Sequence, residues 1–250
     1  MEKRLLELLA EEKEMHLKGG LYHKTQVKLA YNSNRIEGSR LSEEQTRYIF
    51  ETNTILNEGE EPLVVDDIME TVNHFICFDH MLDHADEELS EALIKEYHRL
   101  IKMNTSDARK EWFRVGDYKL RANEVGDMQT TEPAMVEQEM KKILSGYLGR
   151  QKIVFEDIID FHHAFESIHP FQDGNGRVGR MIMFKECLKH DIMPFIIDEQ
   201  HKWYYYRGLK EYRMEKGYLL DTCRSAQDAY ESAVNYFFPE LDGRQRKQRR

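Results

Sequence analysis

The sequence predicts an all-α bundle carrying one small β-hairpin, and three observations point there. Apolar residues recur with a period near 3.6 through most of the chain. Only 5 prolines stand against 12 methionines and a wealth of Leu, Glu and Lys, which favours helix. A single stretch between Gly116 and Gly126 breaks the helical pattern. The chain has 250 residues and a mass of 29.9 kDa. A body of that size hides roughly 70–75% of its unfolded surface, so a sizeable core needs no staples.

The elements follow in order. Leu5, Leu6, Leu8 and Leu9 open an amphipathic segment that stops at Gly19-Gly20. A second runs over 22–37 and halts at Gly38, which can take the left-handed conformation at a helix end. Ser42 followed by Gln45 has the spacing of a capping box and starts a helix through Phe50 to about Leu56. After a loop over 57–62, Asp66 is expected to cap a helix carrying Ile68, Val72, Phe75, Ile76 and Met81. Ser90 starts another, with Leu93, Ile94, Tyr97 and Leu100 inward. Residues 114–125 alternate loosely and read as a β-hairpin with its turn near Asn123. Pro133 fits the first turn of a helix reaching about Leu148. Helices over 155–168, 176–189, 200–216 and 224–237 complete the set. No repeat, low-complexity segment or linker marks a domain boundary.

Composition excludes several functions. Hydrophobic residues at 40% and aromatics at 11% are too many for a disordered chain. A net charge of -10 argues against a nucleic-acid coat, which needs clustered positive charge. The exception is the tail 241–250, with Arg244, Arg246, Lys247, Arg249 and Arg250. It reads either as a frayed, solvated terminus or as an electrostatic contact for RNA or anionic lipid. Cys77, Cys187 and Cys223 are odd in number and lack CxxC spacing, so buried reduced thiols are expected. No apolar run approaches the ~20 residues that span a bilayer, and the charged start Met1-Glu2-Lys3-Arg4 lacks a signal-peptide core. A cytoplasmic protein with no membrane partner is expected.

Chemistry concentrates in Ile168-His169-Pro170-Phe171-Gln172-Asp173-Gly174-Asn175-Gly176-Arg177-Val178-Gly179-Arg180. This is a loop that ends one helix and opens the next. Two glycines around Asn175 let successive backbone N–H groups point into one concavity, an anion nest at a helix N-terminus. Arg177 and Arg180 are three apart on the following helix, so both can face that concavity and chelate phosphate oxygens. Asp173 is a hard oxygen ligand beside the nest, where a magnesium ion bridging phosphates would sit. His169, fixed by Pro170, has a pKa suited to accept a proton near pH 7. A plain helix-to-helix turn would explain the glycines but not the base, the acid and the two arginines.

The run resembles the HPFxDGNGRxxR signature of Fic-domain proteins at every fixed position. The resemblance implies a Fic-type helical core over 90–240, an N-terminal helical region over 1–89 and a hairpin flap before the motif. Fic enzymes typically move AMP from ATP to a hydroxyl of a target protein. Carried over, His169 becomes the base for a Ser, Thr or Tyr hydroxyl, and Asp173 the ligand of magnesium or manganese. Gly174, Asn175 and Gly176, with Val178 and Gly179 behind them, would cradle phosphates, while Arg177 and Arg180 hold the outer ones. Relatives that phosphorylate carry Lys at the second glycine, so Gly176 favours AMP transfer. Flap contacts to the nucleotide would come from Val125, Gly126 and Asp127, followed here by Thr130-Thr131 in place of Pro-Pro. Tyr205 and Tyr206 occupy the place of a tyrosine pair along the nucleoside, and also read as plain core aromatics. Arg213 stands where relatives often have Asn near the adenine. The flap's exposed edge would dock the target protein by adding its strand to the hairpin.

Ser33-Asn34-Arg35-Ile36-Glu37-Gly38 resembles the family's (S/T)xxxE(G/N) inhibitory motif. Ser33 and Glu37 are four apart and share a helix face. A carboxylate brought to the nest would pair with Arg180 and take it from the outer phosphate of ATP. His80 and His84, four apart on a helix, lack a third ligand and read as packed or solvated; His162 and His163 read as packing or hydrogen-bonding groups. The expectation is a protein adenylyltransferase restrained by its own Glu37. Two rivals remain open at this point: a hydrolase that removes AMP with water aligned by Glu37, and a non-catalytic nucleotide-sensing module. A homo-oligomer also stays open.

Overall fold

The structure, a computed structural model, describes residues 3–56, 62–126 and 128–241. Asp127, residues 57–61 and the basic run from Arg244 onward lie outside the described residues. The fold is all-α with one short hairpin. In chain order it comprises α1 (Leu5–Glu14), α2 (Leu21–Ile36), α3 (Glu43–Thr52), α4 (Val65–Asp83) and α5 (Glu91–Lys102). There follow β1 (Glu124–Val125), β2 (Met128–Gln129), α6 (Pro133–Leu148), α7 (Phe155–Ile168), α8 (Asn175–Lys189), α9 (Lys202–Glu211) and α10 (Gly217–Phe237).

Local chemistry sets several ends. Ser42 Oγ accepts from Gln45 N–H at 3.0 Å while Gln45 Oε1 accepts from Ser42 N–H at 2.9 Å, the reciprocal capping box. Ser90 Oγ accepts from Leu93 N–H at 3.2 Å to start α5, and Pro133 is the first residue of α6. α1 stops at Glu14, short of the glycines, and Glu12 near its end reaches on to α2. Its carboxylate accepts from Tyr22 N–H at 2.7 Å and caps the start of α2, so Gly20 is bare: a Cβ there would strike the same carboxylate.

Three expectations are corrected. Asp66 does not cap α4, which begins one residue earlier; its carboxylate accepts from the backbone N–H and hydroxyl of Ser106, 40 residues on. The hairpin is not over 114–125. It is the antiparallel ribbon of β1 and β2, paired Glu124 with Gln129 and Val125 with Met128, with Gly126 at φ 58 in its turn. Residues 114–123 instead run irregularly to it, their backbone bonded elsewhere: Gly116 N–H to His98 and Lys119 N–H to the Pro170 carbonyl. The helix expected over 200–216 ends at Glu211, and α10 starts at Gly217 rather than 224.

α8 is the axis of the molecule. Every residue from Asn175 to Leu188 is buried, as expected of a helix wrapped on all sides. α1, α2, α4, α5 and α7 all pack against it. The main hydrophobic cluster runs from Leu6 of α1 through Phe78, Tyr97, Phe165, Met181 and Phe184 to Leu241, so N-terminal helices and motif helix share one core. The polar groups α8 takes inside are paired. Lys185 Nζ lies 2.7 Å from Glu186, whose other oxygen accepts from Tyr147 Oη at 2.8 Å. Cys77, Cys187 and Cys223 are free and buried. Among the described residues no helix is long and apolar enough to cross a membrane.

Candidate active site

The motif loop joins α7 to α8. His169 ends α7 in the left-handed region at φ 51, and Gly174 enters α8 at φ 81. Asn175 ties the loop together: its Oδ1 accepts from Phe171 N–H at 2.8 Å and its Nδ2 donates to the Phe171 carbonyl at 2.9 Å. Its side chain is therefore spent on the loop and only its backbone faces the nest. His98 of α5 supports the loop from below, stacked on Phe171 with ring centroids 3.9 Å apart. Because His98 Nδ1 accepts from Gly116 N–H, its Nε2–H donates to the Asp173 carbonyl at 3.1 Å. Burial pushes that imidazole down to about 3, so it stays neutral. Val178 packs in the core, and Gly179 lets α8 approach Glu166 and His162.

Arg180, 4% exposed, is held from α2. Its Nη2 lies 2.7 Å from Glu37 Oε1 and 2.9 Å from the Ser33 carbonyl, while its Nε donates to Ser33 Oγ at 3.0 Å. The Ser33 carbonyl belongs to the last turn of α2, where carbonyls lack intrahelical donors and welcome a cation. Ser33 thus touches Arg180 directly, through both its hydroxyl and its carbonyl. Glu37 sits at the first turn of α8: a Cβ on Gly176 would strike its carboxylate. Carboxylate and anion nest coincide.

Arg177 is 2% exposed and faces inward. It pairs with Glu70 of α4 and, at 3.0 Å, with Asp173 Oδ2. Lys102 of α5 completes the cluster, with Nζ 2.6 Å from Asp173, 2.7 Å from Glu70 and 2.8 Å from Asp107. Arg177 and Lys102 hold Asp173 well below the usual carboxylate range despite burial, so it is ionised. Glu70 and Lys102 carried no signal in the sequence, since Lys102 lies 71 residues from Asp173 and 32 from Glu70.

Asp173 fits a hard cation. Its side chain remains 46% exposed although Oδ2 is ion-paired, which leaves carboxylate surface for a ligand. Among the described residues no three His, Cys, Asp or Glu converge as a metal cage. A magnesium ion held by one carboxylate and substrate phosphates requires none.

His169 is pushed down to about 4 by burial first and Lys119 second, so its ring is neutral at pH 7 and can accept a proton. Lys119 also pins the flap: its ammonium donates to Asn123 Oδ1 at 2.7 Å, Thr130 Oγ1 at 2.6 Å and the Ile168 carbonyl at 3.4 Å. Sequence reasoning missed this residue. Val125 and Gly126 are exposed at the flap. Tyr205, 1% exposed, is buried in the core with Oη 2.6 Å from His162 Nε2, so the packing reading holds for it in this arrangement. Tyr206 is half-buried, its hydroxyl donating to the Ile36 carbonyl at 3.3 Å, and keeps some surface to offer. His163 stacks on Tyr212 at 4.4 Å, and the His80 ring lies tilted against that of His84 at 4.0 Å. A cleft of about 400 Å³ opens beside the motif, lined by Thr131, His163, Ser167, Tyr212 and Arg213 among others.

Residues 88–187 match the Fic/DOC family. The chain is similar to the protein adenylyltransferase Fic of Aedes aegypti, 27% identical over 188 residues that cover 72% of this chain and 36% of that protein. It is also similar to the protein adenylyltransferase Fic of Nematostella vectensis, 27% identical over 190 residues covering 72% and 42%. The chain thus spans well under half the length of these curated relatives. In fold it is similar to a Fic domain containing signaling protein from Bacteroides thetaiotaomicron, with TM-score 0.69 and 21% identity over 92% of this chain and 90% of that one. The motif loop and these likenesses agree: residues 88–187 are similar to the Fic/DOC family, and the helical architecture is that of a Fic fold.

Proposed function

We propose that this chain is a protein adenylyltransferase that moves AMP from ATP to a Ser, Thr or Tyr hydroxyl of a target protein and of itself, restrained by Glu37. Residues 90–240 are the catalytic core in this reading and residues 1–89 supply the restraint. One observation carries it: a neutral histidine, an ionised aspartate and a buried arginine gather at the N-terminus of α8. Backbone N–H groups from Gly174 to Gly176 would bind phosphate oxygens, and Arg180 would take the outer phosphate once Glu37 leaves it. His169 would accept the hydroxyl proton as the acceptor oxygen attacks the α-phosphorus in line. Asp173 would hold magnesium or manganese, which when bound neutralises charge on the bridged phosphates. The cleft beside Ser167 offers room for the nucleoside, with Arg213 in its lining. The exposed hairpin edge at Glu124 and Val125 is the docking strand for the target.

Labelled ATP tests the reading. Label on the α-phosphate should pass to protein in Glu37→Gly, label on the γ-phosphate should not, and His169→Ala should lose roughly 10²–10⁴ of the rate. No α-label transfer in any variant would overturn it. A hydrolytic reading draws on one observation, that the Glu37 carboxylate lies within electrostatic reach of His169. Loss of AMP from a modified target that requires Glu37 would favour that reading.

A further inference from the structure

Behind His169 three buried polar atoms of neighbouring side chains have no hydrogen-bond partner: His169 Nδ1, Glu166 Oε1 and His162 Nδ1. Glu166 stands three residues before His169 on the last turn of α7, so carboxyl and ring share a face. Glu166 Oε2 lies 3.9 Å from His169 Nδ1, a small adjustment away from a hydrogen bond. Its Oε1 approaches Gly179, where a Cβ would meet it at 2.8 Å and His162 Nδ1 at 2.9 Å. The other acidic groups around the motif are paired: Glu37 with Arg180, Glu70 with Arg177, Asp173 with Lys102. Burying a carboxyl group without such partners is costly, and groups so placed cluster where chemistry uses them.

We propose that Glu166 is the positioning residue of His169, its carboxylate accepting from Nδ1–H so that the Nε2 lone pair faces the acceptor hydroxyl. The proposal rests on the reading of His169 as the base. In the transfer the acceptor oxygen bonds the α-phosphorus and pyrophosphate leaves with the electron pair. The hydroxyl proton goes to His169 Nε2, and the imidazolium so formed is stabilised through Nδ1 by the carboxylate behind it. The backbone carbonyl of Glu166 faces the same ring as well; what the side chain adds in this proposal is a charge, which the carbonyl lacks. Groups facing Glu166 are Arg180 of α8, Glu37 at the end of α2, His162 on α7 and Tyr205 and Tyr206 of α9, with Lys119 beyond His169. Burial above all holds the Glu166 carboxyl up to about 8; Arg180 opposes this and Glu37 reinforces it. Departure of Glu37 therefore removes one of the causes that hold Glu166 in its neutral form, and the ionised form is the one the base needs.

The test uses the full chain in a Glu37→Gly background, with Glu166→Gln and Glu166→Leu added. Ring-nitrogen NMR of His169, assigned by difference from His169→Gln, reads the tautomer; kcat, KM for ATP and the pH profile of kcat read the chemistry. Glu166→Gln should keep the Nδ1–H tautomer through its amide oxygen, yet move the acidic limb of kcat to lower pH by about one unit as the charge is lost. Glu166→Leu should lose the tautomer as well and lower kcat by about 10- to 100-fold, with KM for ATP changed less than about threefold. Unchanged ring shifts and an unchanged acidic limb in both variants overturn the proposal. If Glu166→Leu does not fold, the limb in Glu166→Gln decides alone. Ring shifts that follow Glu166 in a protein that turns over no ATP uphold the positioning contact and overturn the transferase reading instead.

Discussion

Arg177 and Arg180 stand three residues apart in the first two turns of α8, and each meets a carboxylate from the N-terminal region, yet the two contacts are built differently. Arg180 is held by one carboxylate at a helix end, Glu37, whose side chain is 28% exposed, and by two oxygens of Ser33. Arg177 lies inside a cluster in which Glu70, Asp173, Lys102 and Asp107 share charge across α4, α5 and the loop after α5. The first contact can be undone by moving the end of α2 and returning one carboxylate to water. Undoing the second would strand several buried charges. The lesson is that neighbouring arginines of one motif are not equivalent: one sits in a contact that one moving carboxylate can open, which is what the proposed restraint requires, and the other is locked with Asp173 in a buried cluster.

The largest effect should come from breaking the buried cluster. Glu70→Ala leaves Arg177 and Lys102 short of a counter-charge and should cost about 3–5 kcal/mol. Thermal unfolding should then shift downward by on the order of 10 °C, without activation. Activation as large as that of Glu37→Gly would erase the distinction between the two arginines. Next comes Glu37→Gly itself. Loss of a charge-assisted contact worth roughly 1.5–3 kcal/mol should raise AMP transfer about ten- to over a hundredfold. The gain should vanish in a Glu37→Gly, Arg180→Ala double variant, since Arg180 is what the nucleotide gains; a persistent gain would place the restraint elsewhere.

The two arginines share a buried neighbour, His74, pushed down to about 3 by burial first and then by Arg180 and Arg177. A histidine depressed in the folded state protonates first in the unfolded chain. Its contribution is therefore whole above about pH 6.5 and is lost as pH falls toward 3, at no more than about 1.4 kcal/mol per pH unit. Thermal melts between pH 7 and 4.5 should show a shallower acid loss in His74→Gln than in the parent, and equal slopes would remove His74 from the linkage. The smallest effect belongs to Ser33→Ala. It deletes the hydroxyl on Arg180 but keeps the carbonyl, a loss of about 0.5–1.5 kcal/mol and a two- to tenfold rise in transfer. A rise matching Glu37→Gly would mean that the hydroxyl, not the carboxylate, sets the restraint.

Features written within a few residues of each other were legible from the sequence alone. The capping box of Ser42 and Gln45, the start of α5 at Ser90 and the loop from His169 to Arg180 depend on contacts within one helical turn or one loop. The pairing of Glu37 with Arg180 was reached through the family resemblance, because 143 residues separate the two. Misplacement of the hairpin has a plain cause: two-residue strands carry too little alternation to outweigh the loose pattern of residues 114–123 before them. Asp66 has the composition of a cap but found its partner in Ser106, which only packing brings near.

By itself, then, the sequence determined the helical class and the loop that carries His169 to Arg180 into the start of α8, since these rest on backbone geometry and near neighbours. Tertiary structure alone decided which charges meet. It set Glu70 on Arg177, Lys102 on Asp173, Lys119 under the flap and Tyr205 inside the core. The physical reason is that a buried charge takes whichever opposite charge the packing of distant helices brings within reach, and residue type at one position does not say which that will be.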